Sequence, residues 1–230
     1  MFVIEGQKLL DEAVAAGVKP HEVYAAPGYD PQVDAPTFEL AAGVVERVAD
    51  TVTPQPVLAV VPTLDVPLDA VRESTFLVVC VDVRDPGNAG TVLRSAEAAG
   101  ADAVICADGS VDLYNPKTVR ASAGSLFHVR VVVGGGAGEV LETIGGWGVS
   151  RLGTMAHGGL DYTACDLARP VAIVLGNEAN GLPAEAAAQL DQAVTIPMVG
   201  RSESLNVGMA AAVLCFETAR QRREQRRGRS

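Results

Sequence analysis

The stretches VLGNEANGL (residues 174–182) and IPMVGRSESLNVGMAAAVLCFE (residues 196–217) decide the fold of this chain. Each begins as an apolar run typical of a buried strand and then changes abruptly to glycine, asparagine, serine and glutamate. The second stretch continues directly into an amphipathic helix. Open parallel α/β sheets bind ligands at the carboxyl ends of their strands, so we expect any chemistry at these two breaks.

Apolar runs alternate with helical patterns through most of the chain. The run at residues 75–83 is followed by Asp-Pro-Gly, as expected of a central parallel strand, and a helix is expected at residues 88–99. Further strands are expected at residues 101–108, 129–133, 148–153, 171–175 and 193–197, with a terminal helix from 206 to about 223. This alternation predicts an α/β domain with a parallel sheet covered on both faces.

The first 61 residues predict a smaller α/β unit. Helical patterns at residues 7–16 and 36–48 alternate there with an entry strand and with strands at residues 22–26 and 57–61. The segment VPTLDVPLDAV (residues 61–71) holds two prolines among small residues and is the best linker candidate. We therefore expect two domains, residues 1–67 and residues 72–230.

Composition restricts the class of protein. Of the 230 residues, 48% are hydrophobic, which suffices for a real core, and no apolar run reaches the roughly 20 residues of a membrane span. The four cysteines lie far apart and only three histidines are present, so no metal-ligand spacing occurs. These features predict a cytoplasmic protein with reduced core thiols and no metal cofactor.

Charge is unevenly distributed along the sequence. The net charge of -10 argues against electrostatic capture of nucleic acid by the whole protein. Residues 1–67 carry 10 acidic and 3 basic side chains, whereas six arginines crowd residues 220–229. A polyanionic partner therefore requires a local basic patch. The arginine-rich tail either supplies one or is a disordered, solubilising end.

The segment VRDPGNAGTVLRSAEAAG (residues 83–100) holds the first group of candidate residues. Asn88 suits the N-cap of the predicted helix, and that structural role alone would explain it. Arg94 lies one to two turns further on, among small residues, at a spacing that can direct it to the same strand edge. The residues alone leave structural and functional interpretations of Arg94 open.

The loop LGNEANGL holds the second group. Gly176 and Gly181 permit tight backbone turns, and Asn177 and Glu178 come directly after a buried strand. Such a loop can simply cap the helix that begins at Pro183. A carboxylate at the end of a central strand is an unusual choice for a purely structural turn, so the pattern favours a functional role.

The segment SESLNVGMAAA holds the third group. Ser204 or Asn206 suits the N-cap of the final helix. The hydroxyl, the amide and free backbone N–H groups at a helix N-terminus also suit an anion. The capping role and the binding role are compatible.

The glycine-rich VVVGGGAGEV (residues 131–140) offers a competing hypothesis, a nucleotide-dependent oxidoreductase. An acidic residue is expected about 20 residues after such a loop, but residues 151–154 are Arg-Leu-Gly-Thr. The pattern favours a flexible connection between a strand and a helix. His128 and His157 lack a paired nucleophile, so no catalytic triad is expected.

Taken in order, NAGTVLRSAEAAGAD, LGNEANGL and IPMVGRSESLNVGMAAAVLCFE resemble the three motifs of the SpoU/TrmH family of RNA 2'-O-ribose methyltransferases. The resemblance covers about residues 75–220. In addition, FVIEGQKLLDEAVAAGVKPHEVY (residues 2–24) resembles the small ribosomal-protein-like RNA-binding domain that many members carry.

This resemblance implies a parallel α/β domain whose C-terminal segment threads a deep trefoil knot, a rare exception among folds. It implies S-adenosylmethionine bound inside the knot, a homodimer, and an RNA substrate, ribosomal RNA in preference to transfer RNA. A noncatalytic RNA-binding protein with the same knot is the alternative, motivated by the acidic N-terminal unit.

The resemblance also assigns roles to individual residues. It implies that Arg94 and Asn88 in the first motif, Glu178 in the second, and Ser204 and Asn206 in the third activate or position the reacting ribose and phosphate. Contacts to the cofactor are implied for Thr154, Leu175, Gly176, Asn177, Gly181, Ile196, Met198 and Leu205. A guanidinium normally keeps its proton, so we interpret Arg94 as an electrostatic stabiliser and leave the general base open.

Overall fold

The strands assemble into two separate sheets, one of four strands and one of seven, in the computed structural model of the protein. The structure describes residues 1–48 and 53–228. The strands are β1 (Phe2–Glu5), β2 (Glu22–Ala25), β3 (Thr37–Glu39), β4 (Val57–Val61), β5 (Phe76–Cys80), β6 (Ala103–Cys106), β7 (Arg130–Val133), β8 (Ser150–Thr154), β9 (Leu160–Asp161), β10 (Val171–Leu175) and β11 (Gln192–Thr195). The helices are α1 (Gln7–Ala15), α2 (Val45–Val48), α3 (Pro86–Ala98), α4 (Pro116–Ser122), α5 (Ala137–Gly146), α6 (Ala184–Ala187) and α7 (Val207–Arg227).

The seven-stranded sheet is parallel throughout, as the apolar runs predict. Its strand order is β7-β6-β5-β10-β8-β11-β9. Every residue of β5 and β10 is buried, because helices cover both faces of these central strands. Phe76 and Ile173 pack with residues of α3 and α7 on one face, whereas Leu77 and Val174 pack with α5 on the other.

The position of β10 determines where a ligand can bind. From β5 the chain adds β6 and β7 on one side, then crosses to β8 and returns to insert β10 between β5 and β8. This reversal of strand order is a topological switch point, and open parallel sheets bind ligands in the crevice outside the carboxyl ends of the strands there.

The small sheet has the strand order β1-β4-β2-β3, with β3 parallel to β2 and the other pairs antiparallel. The prediction of one helix at residues 36–48 is wrong. Thr37 and Phe38 favour extended structure and pair with β2, and Gly43 has a left-handed φ of 79° that no continuous helix allows. Only the last four residues of that range are helical.

The segment that joins the two sheets is held in place. The Tyr114 hydroxyl accepts hydrogen bonds from the backbone N–H groups of Leu64 and Asp65 and donates one to the Asp65 carboxylate, each at 2.8 Å. The backbone N–H of Val66 donates to the carbonyl of Val131 in β7. These contacts fix residues 64–66 against the large sheet, and the boundary between residues 67 and 72 stays a prediction.

The terminal helix is longer than predicted, and most of the arginine-rich tail belongs to it. The prediction that the helix ends near Arg223 is wrong, because α7 continues to Arg227. Arg220 pairs with Glu217 and Glu224 one turn away on either side, which supports the helix. Arg222 is tied to the body of the domain, and Arg229 lies outside the described residues.

The glycine-rich loop follows β7, a strand at the edge of the large sheet. Gly134 and Gly135 have left-handed φ values of 94° and 90°, which fits a tight connection into α5. Three strands, β6, β5 and β10, separate β7 from β8. The loop therefore lies away from the switch point.

The four cysteines are buried and unbridged. Burial raises the pKa of the Cys215 thiol to about 12. Among residues 1–48 and 53–228, no group of three or more His, Cys, Asp or Glu side chains is arranged to hold a metal ion. In the same part of the chain, no helix combines the length and the apolarity needed to cross a membrane.

Candidate active site

A pocket of about 350 Å³ opens at the carboxyl ends of β8, β10 and β11. Its volume is in the usual range for small-molecule sites. Ten predicted site residues from separate parts of the sequence line it: Thr154, Gly176, Asn177, Glu178, Gly181, Ile196, Met198, Ser204, Leu205 and Asn206. The structure thus brings the second and third sequence groups together at the switch point.

Three predicted residues lie outside this lining: Asn88, Arg94 and Leu175. Leu175 is fully buried at the end of β10, and its carbonyl already accepts a hydrogen bond from Val81. Other lining residues were not predicted: Met155, Ala156, Ala179, Val194, Val207 and Ala210. Met155 and Ala156 directly follow β8, so the same rule of strand ends could have identified them.

The loop after β10 is a narrow turn closed on itself. Asn177 and Gly181 exchange two backbone hydrogen bonds of 2.9 Å. A Cβ atom at Gly176 would lie only 2.6 Å from the carbonyl carbon of Gly181, so no larger residue fits between the two sides. The Asn177 carboxamide accepts from the backbone N–H groups of Ala179 and Asn180 and donates to the carbonyl of Asp82 at 2.9 Å. This turn holds Glu178 exposed beside the pocket.

One polar network joins the three sequence groups. The Asn206 amide donates to the Asn88 carboxamide oxygen, and the Asn88 amide donates to Glu178 Oε1, both at 2.8 Å. The orientation of each amide is fixed by these partners, since Glu178 can only accept when it is ionised. The network places one carboxylate and two carboxamides at the mouth of the pocket.

The helix N-termini explain why these side chains are available. Asp85, rather than Asn88, caps α3, accepting a hydrogen bond from the Asn88 backbone N–H at 2.8 Å. The prediction of Asn88 as the cap is wrong because Asp85 comes three residues earlier with Pro86 at N1. The Asn88 side chain is therefore free to enter the network.

Asn206 is the cap of α7, one of the two residues predicted for that role. Its carboxamide oxygen accepts from the backbone N–H groups of Gly208 at 2.9 Å and Met209 at 3.3 Å. Those two N–H groups are therefore satisfied within the protein and are not free to hold an anion, and the binding role expected of Ser204 and Asn206 stays a prediction. Ser204 lines the pocket as an exposed hydroxyl.

A close helix crossing brings Asn206 to Asn88. Helices α3 and α7 pack together, and a Cβ atom at Gly208 would lie 2.9 Å from Thr91 Cβ. The absence of a side chain at Gly208 therefore permits the two helix N-termini to approach.

Arg94 lies on another face of α3. It follows Asn88 by six residues, which rotates it about 240° around the helix axis and moves it about 9 Å along it. It is exposed, as are Gly87, Thr91 and Ala98 on the same face. Within the described part of the chain, no hydrogen bond or ion pair engages its guanidinium. Asn88 and Arg94 therefore do not converge within one chain, contrary to the expectation from their spacing.

Comparison with known proteins gives a family match for the part of the chain that forms each sheet. A sequence model of the SpoU rRNA Methylase family matches residues 75–216, and a model of the MRM3-like substrate binding domain matches residues 1–59. The chain is 34% identical over 220 residues to the 23S rRNA (guanosine(2553)-2'-O)-methyltransferase RlmP of Bacillus subtilis strain 168, which covers 94% of this chain and 87% of that protein. It is 38% identical over 176 residues to the 23S rRNA (uridine(2479)-2'-O)-methyltransferase of Streptomyces viridochromogenes, which covers 74% of this chain and 61% of that protein.

Solved structures give the same result. The SpoU methyltransferase AviRb from Streptomyces viridochromogenes in complex with the cofactor AdoMet superposes with a TM-score of 0.87 at 30% identity, over 96% of this chain and 90% of that one. An AdoMet-bound rRNA methyltransferase from Sinorhizobium meliloti superposes with a TM-score of 0.85 at 31% identity, over 95% and 87%. With the family match over residues 75–216, the second and third sequence groups at one pocket and these relatives, the chain belongs to the SpoU/TrmH family of methyltransferases.

Proposed function

We propose that this protein transfers the methyl group of S-adenosylmethionine to a ribose 2'-hydroxyl of ribosomal RNA. The observation that carries the proposal is the Glu178–Asn88–Asn206 network beside a pocket at the topological switch point. The relatives named above act on 23S rRNA at ribose 2'-oxygens, and the Streptomyces structure contains AdoMet.

The pocket fits a nucleoside-containing cofactor. Apolar side chains of Ile196, Met198 and Leu205 and the bare backbone at Gly176 and Gly181 form a narrow lining. The Thr154 hydroxyl already donates to the carbonyl of Val174 at 3.2 Å, so it holds the wall of the pocket in shape. When bound, S-adenosylmethionine would supply a methyl group on a sulfonium, and the neutral thioether released on transfer would be an excellent leaving group.

The chain's own residues must then orient a weak nucleophile. A ribose hydroxyl reacts only when its proton is removed or its developing negative charge is stabilised. Glu178, Ser204 and Asn206 offer acceptors and donors that can hold the ribose beside the pocket. Alignment of this kind accounts for much of the rate enhancement in transfer between bound partners.

The finer features of the fold belong to the same proposal. We assign residues 1–67 to RNA recognition and residues 72–230 to methyl transfer, with the C-terminal segment of the second domain forming a trefoil knot. Insertion of β10 between β5 and β8, and the return of α7 to pack on α3, support the knot. The bacterial relatives of this protein that act on ribosomal RNA support a cytoplasmic location.

Dimerisation is proposed to complete the site. Met209 and Phe216 of α7 are 60% and 51% exposed, and Arg94 is exposed on the adjacent helix α3. Apolar side chains exposed on α7, and a cation with no partner in the described chain on the helix that packs against α7, support an interface between two copies. In such a dimer Arg94 acts across the interface, where its charge stabilises the reacting oxygen in the other copy's site.

The proposal is tested by incubating the protein with S-adenosylmethionine labelled on its methyl group. Purified 23S rRNA and transfer RNA are supplied separately, and ribose-bound label is counted after nuclease digestion. We expect label in the ribosomal RNA. Label in transfer RNA alone would correct the substrate, and no label with confirmed cofactor binding would favour the noncatalytic alternative.

The role of Arg94 has its own test. Arg94→Ala is expected to bind the cofactor normally and to lose most methyl transfer. Arg223→Ala, which changes another exposed arginine, on α7, is expected to keep methyl transfer. Mixing Arg94→Ala and Glu178→Ala chains is expected to restore part of the activity, because one site in a mixed dimer has both residues. Without restoration in a demonstrated mixed dimer, action across the interface is excluded.

A further inference from the structure

We propose that the outer face of the small sheet stacks an unpaired base of the RNA substrate on the aromatic pair Tyr24 and Phe38. This inference rests on the proposed function and names the surface through which the N-terminal unit recognises RNA. Neither ring belongs to the motifs at the pocket.

The two faces of the small sheet differ. Phe2, Ile4 and Val23 point to one face and are buried against α1. The alternate residues point to the other face because successive side chains of a strand alternate. On that outer face Val3 is 47% exposed and Phe38 is 49% exposed.

The aromatic pair is built by the strand register. Tyr24 of β2 lies directly opposite Phe38 of β3, so both rings project from the same face. Their centroids are 5.7 Å apart with an interplanar angle of 29°, and the arrangement is stacked. The Tyr24 hydroxyl donates to Glu22, which orients the tyrosine ring and raises the pKa of its hydroxyl. Tyr24 thereby supports Phe38, whose outer side stays open.

Exposed rings on neighbouring strands of a sheet suit a nucleobase. Every base has a π-face, and stacking on an aromatic side chain contributes about 1–3 kcal/mol per base in single-stranded nucleic acid. A four-stranded sheet with one face covered by helix and aromatic residues on the other is an arrangement that RNA-binding domains use.

The charge around the pair favours a base over a phosphate. Glu22 lies on the same face as Tyr24 and accepts from its hydroxyl, and residues 1–67 carry 10 acidic and 3 basic side chains. Carboxylates repel the RNA backbone but accept hydrogen bonds from the amino and imino groups of bases. We therefore expect a contact dominated by stacking, whose contribution changes little with salt, unlike a contact to phosphate.

The test measures RNA binding, without turnover, by fluorescence anisotropy of end-labelled 23S rRNA transcribed in vitro. Phe38→Ala is expected to weaken binding by about 5- to 150-fold, from the stacking energies above. Phe38→Leu introduces an apolar side chain without a ring and should bind RNA as weakly as Phe38→Ala. Phe38→Trp should bind RNA like the natural chain. Val14→Ala is the matched control, because Val14 is 47% exposed on α1, the helix that covers the opposite face. Affinities at two salt concentrations should shift in parallel for all variants.

The outcomes separate this inference from the proposed activity. The stacking inference would be overturned by equal RNA binding of Phe38→Ala and Val14→Ala, or of Phe38→Leu and Phe38→Trp. A natural chain that binds no RNA would also overturn it. Normal RNA binding by Phe38→Ala together with a change of oligomeric state would assign the face to a protein contact instead. Ring-dependent binding without methyl transfer would support this inference and contradict the proposed catalysis.

Discussion

The side chain of Asn206 donates a 2.8 Å hydrogen bond to the side chain of Asn88, which lies 118 residues earlier in the chain. The same Asn88 donates to Glu178 at 2.8 Å. Asn88 therefore joins the helix that follows β5 to the loop that follows β10 and to the start of α7. The Asn88 carboxamide accepts from Asn206 and donates to Glu178. This pairing fixes the position of the Glu178 carboxylate.

Replacing Asn88 with aspartate tests this relationship. Asn88→Asp keeps the shape but removes the donor to Glu178 and sets two carboxylates against each other. We expect methyl transfer to fall about 100-fold, the effect of a misplacement of about 1 Å in a catalytic group. Cofactor affinity should change little because Asn88 does not line the pocket. Steady-state kinetics and calorimetry measure the two effects.

Asn115→Asp is the matched control for Asn88→Asp. Asn115 caps α4 by accepting from the backbone N–H of Lys117, and aspartate serves that role equally well. Loss of cofactor binding in Asn88→Asp, in parallel with loss of transfer, would show that Asn88 acts on the pocket as a whole.

Gly176 sets the shape of the cofactor side of the pocket. Gly176→Ala places a Cβ atom 2.6 Å from the Gly181 carbonyl carbon and 2.7 Å from the Leu182 backbone nitrogen, and backbone cannot move aside cheaply. We expect cofactor affinity to fall at least about tenfold, with stability reduced by about 1–3 kcal/mol. Gly200→Ala, in the loop after β11, has open space around its Cβ position and should behave like the natural chain. Binding by Gly176→Ala as tight as by Gly200→Ala would contradict this prediction.

The sequence was sufficient to predict the central strands of the large sheet and ten of the residues that line the pocket. Apolar runs locate β5 and β10, and the polar residues after β10 and β11 line the pocket, because the carboxyl ends of parallel strands meet at one edge. Strand order could not be predicted in the same way. The insertion of β10 between β5 and β8 depends on pairings between residues far apart in sequence, which periodicity does not encode.

Local competition explains the remaining differences. Two residues near the start of α3 can cap it, and Asp85 takes the position, which leaves Asn88 for the site. The stretch at residues 36–48 contains helix formers, but pairing of β3 with β2 prevails over local propensity there. Arg222 is indistinguishable in sequence from its neighbours in the arginine-rich tail, and only the packing of α7 selects it.

Arg222 anchors the C-terminal half of α7. Its guanidinium donates to the carbonyls of Thr75, Leu167 and Arg169 and lies 5.1 Å from the ring centroid of Phe76. Thr75 precedes β5, so this anchor is at the amino ends of the strands, opposite the pocket. Desolvation lowers the pKa of Arg222.

We expect Arg222→Ala to reduce the free energy of unfolding by about 2–4 kcal/mol, because the carbonyls of Thr75, Leu167 and Arg169 lose a charged donor and the Phe76 ring loses its cation. Urea denaturation measures the loss. Arg223→Ala should change stability by less than about 0.5 kcal/mol, since Arg223 is exposed. Equal stability of the two variants would show that the anchor is not a determinant of folding.

The ion pair between Arg151 and Asp191 makes stability depend on pH. Arg151 donates through Nε at 2.9 Å and through its terminal nitrogen at 2.8 Å, tying β8 to the turn before β11. This hydrogen bonding lowers the pKa of Asp191 below its ordinary value of 3.8. A lowered folded-state pKa stabilises the protein above the unfolded pKa, and that contribution is lost as the pH falls through the folded one.

Asp191→Asn should therefore lower the free energy of unfolding by about 1 kcal/mol at pH 7 and at pH 5. The value is modest because the Asp191 side chain is 42% exposed. Below about pH 4 the natural chain loses the same contribution, so the difference between the two should narrow. Urea denaturation at pH 7, 5 and 3 follows this difference. Asp166→Asn is the control, because the pair of Asp166 with Arg169 is 57% and 79% exposed and should contribute almost nothing at any pH. A difference for Asp191→Asn that persists undiminished at pH 3 would mean that the carboxylate's charge is not the source of the stability.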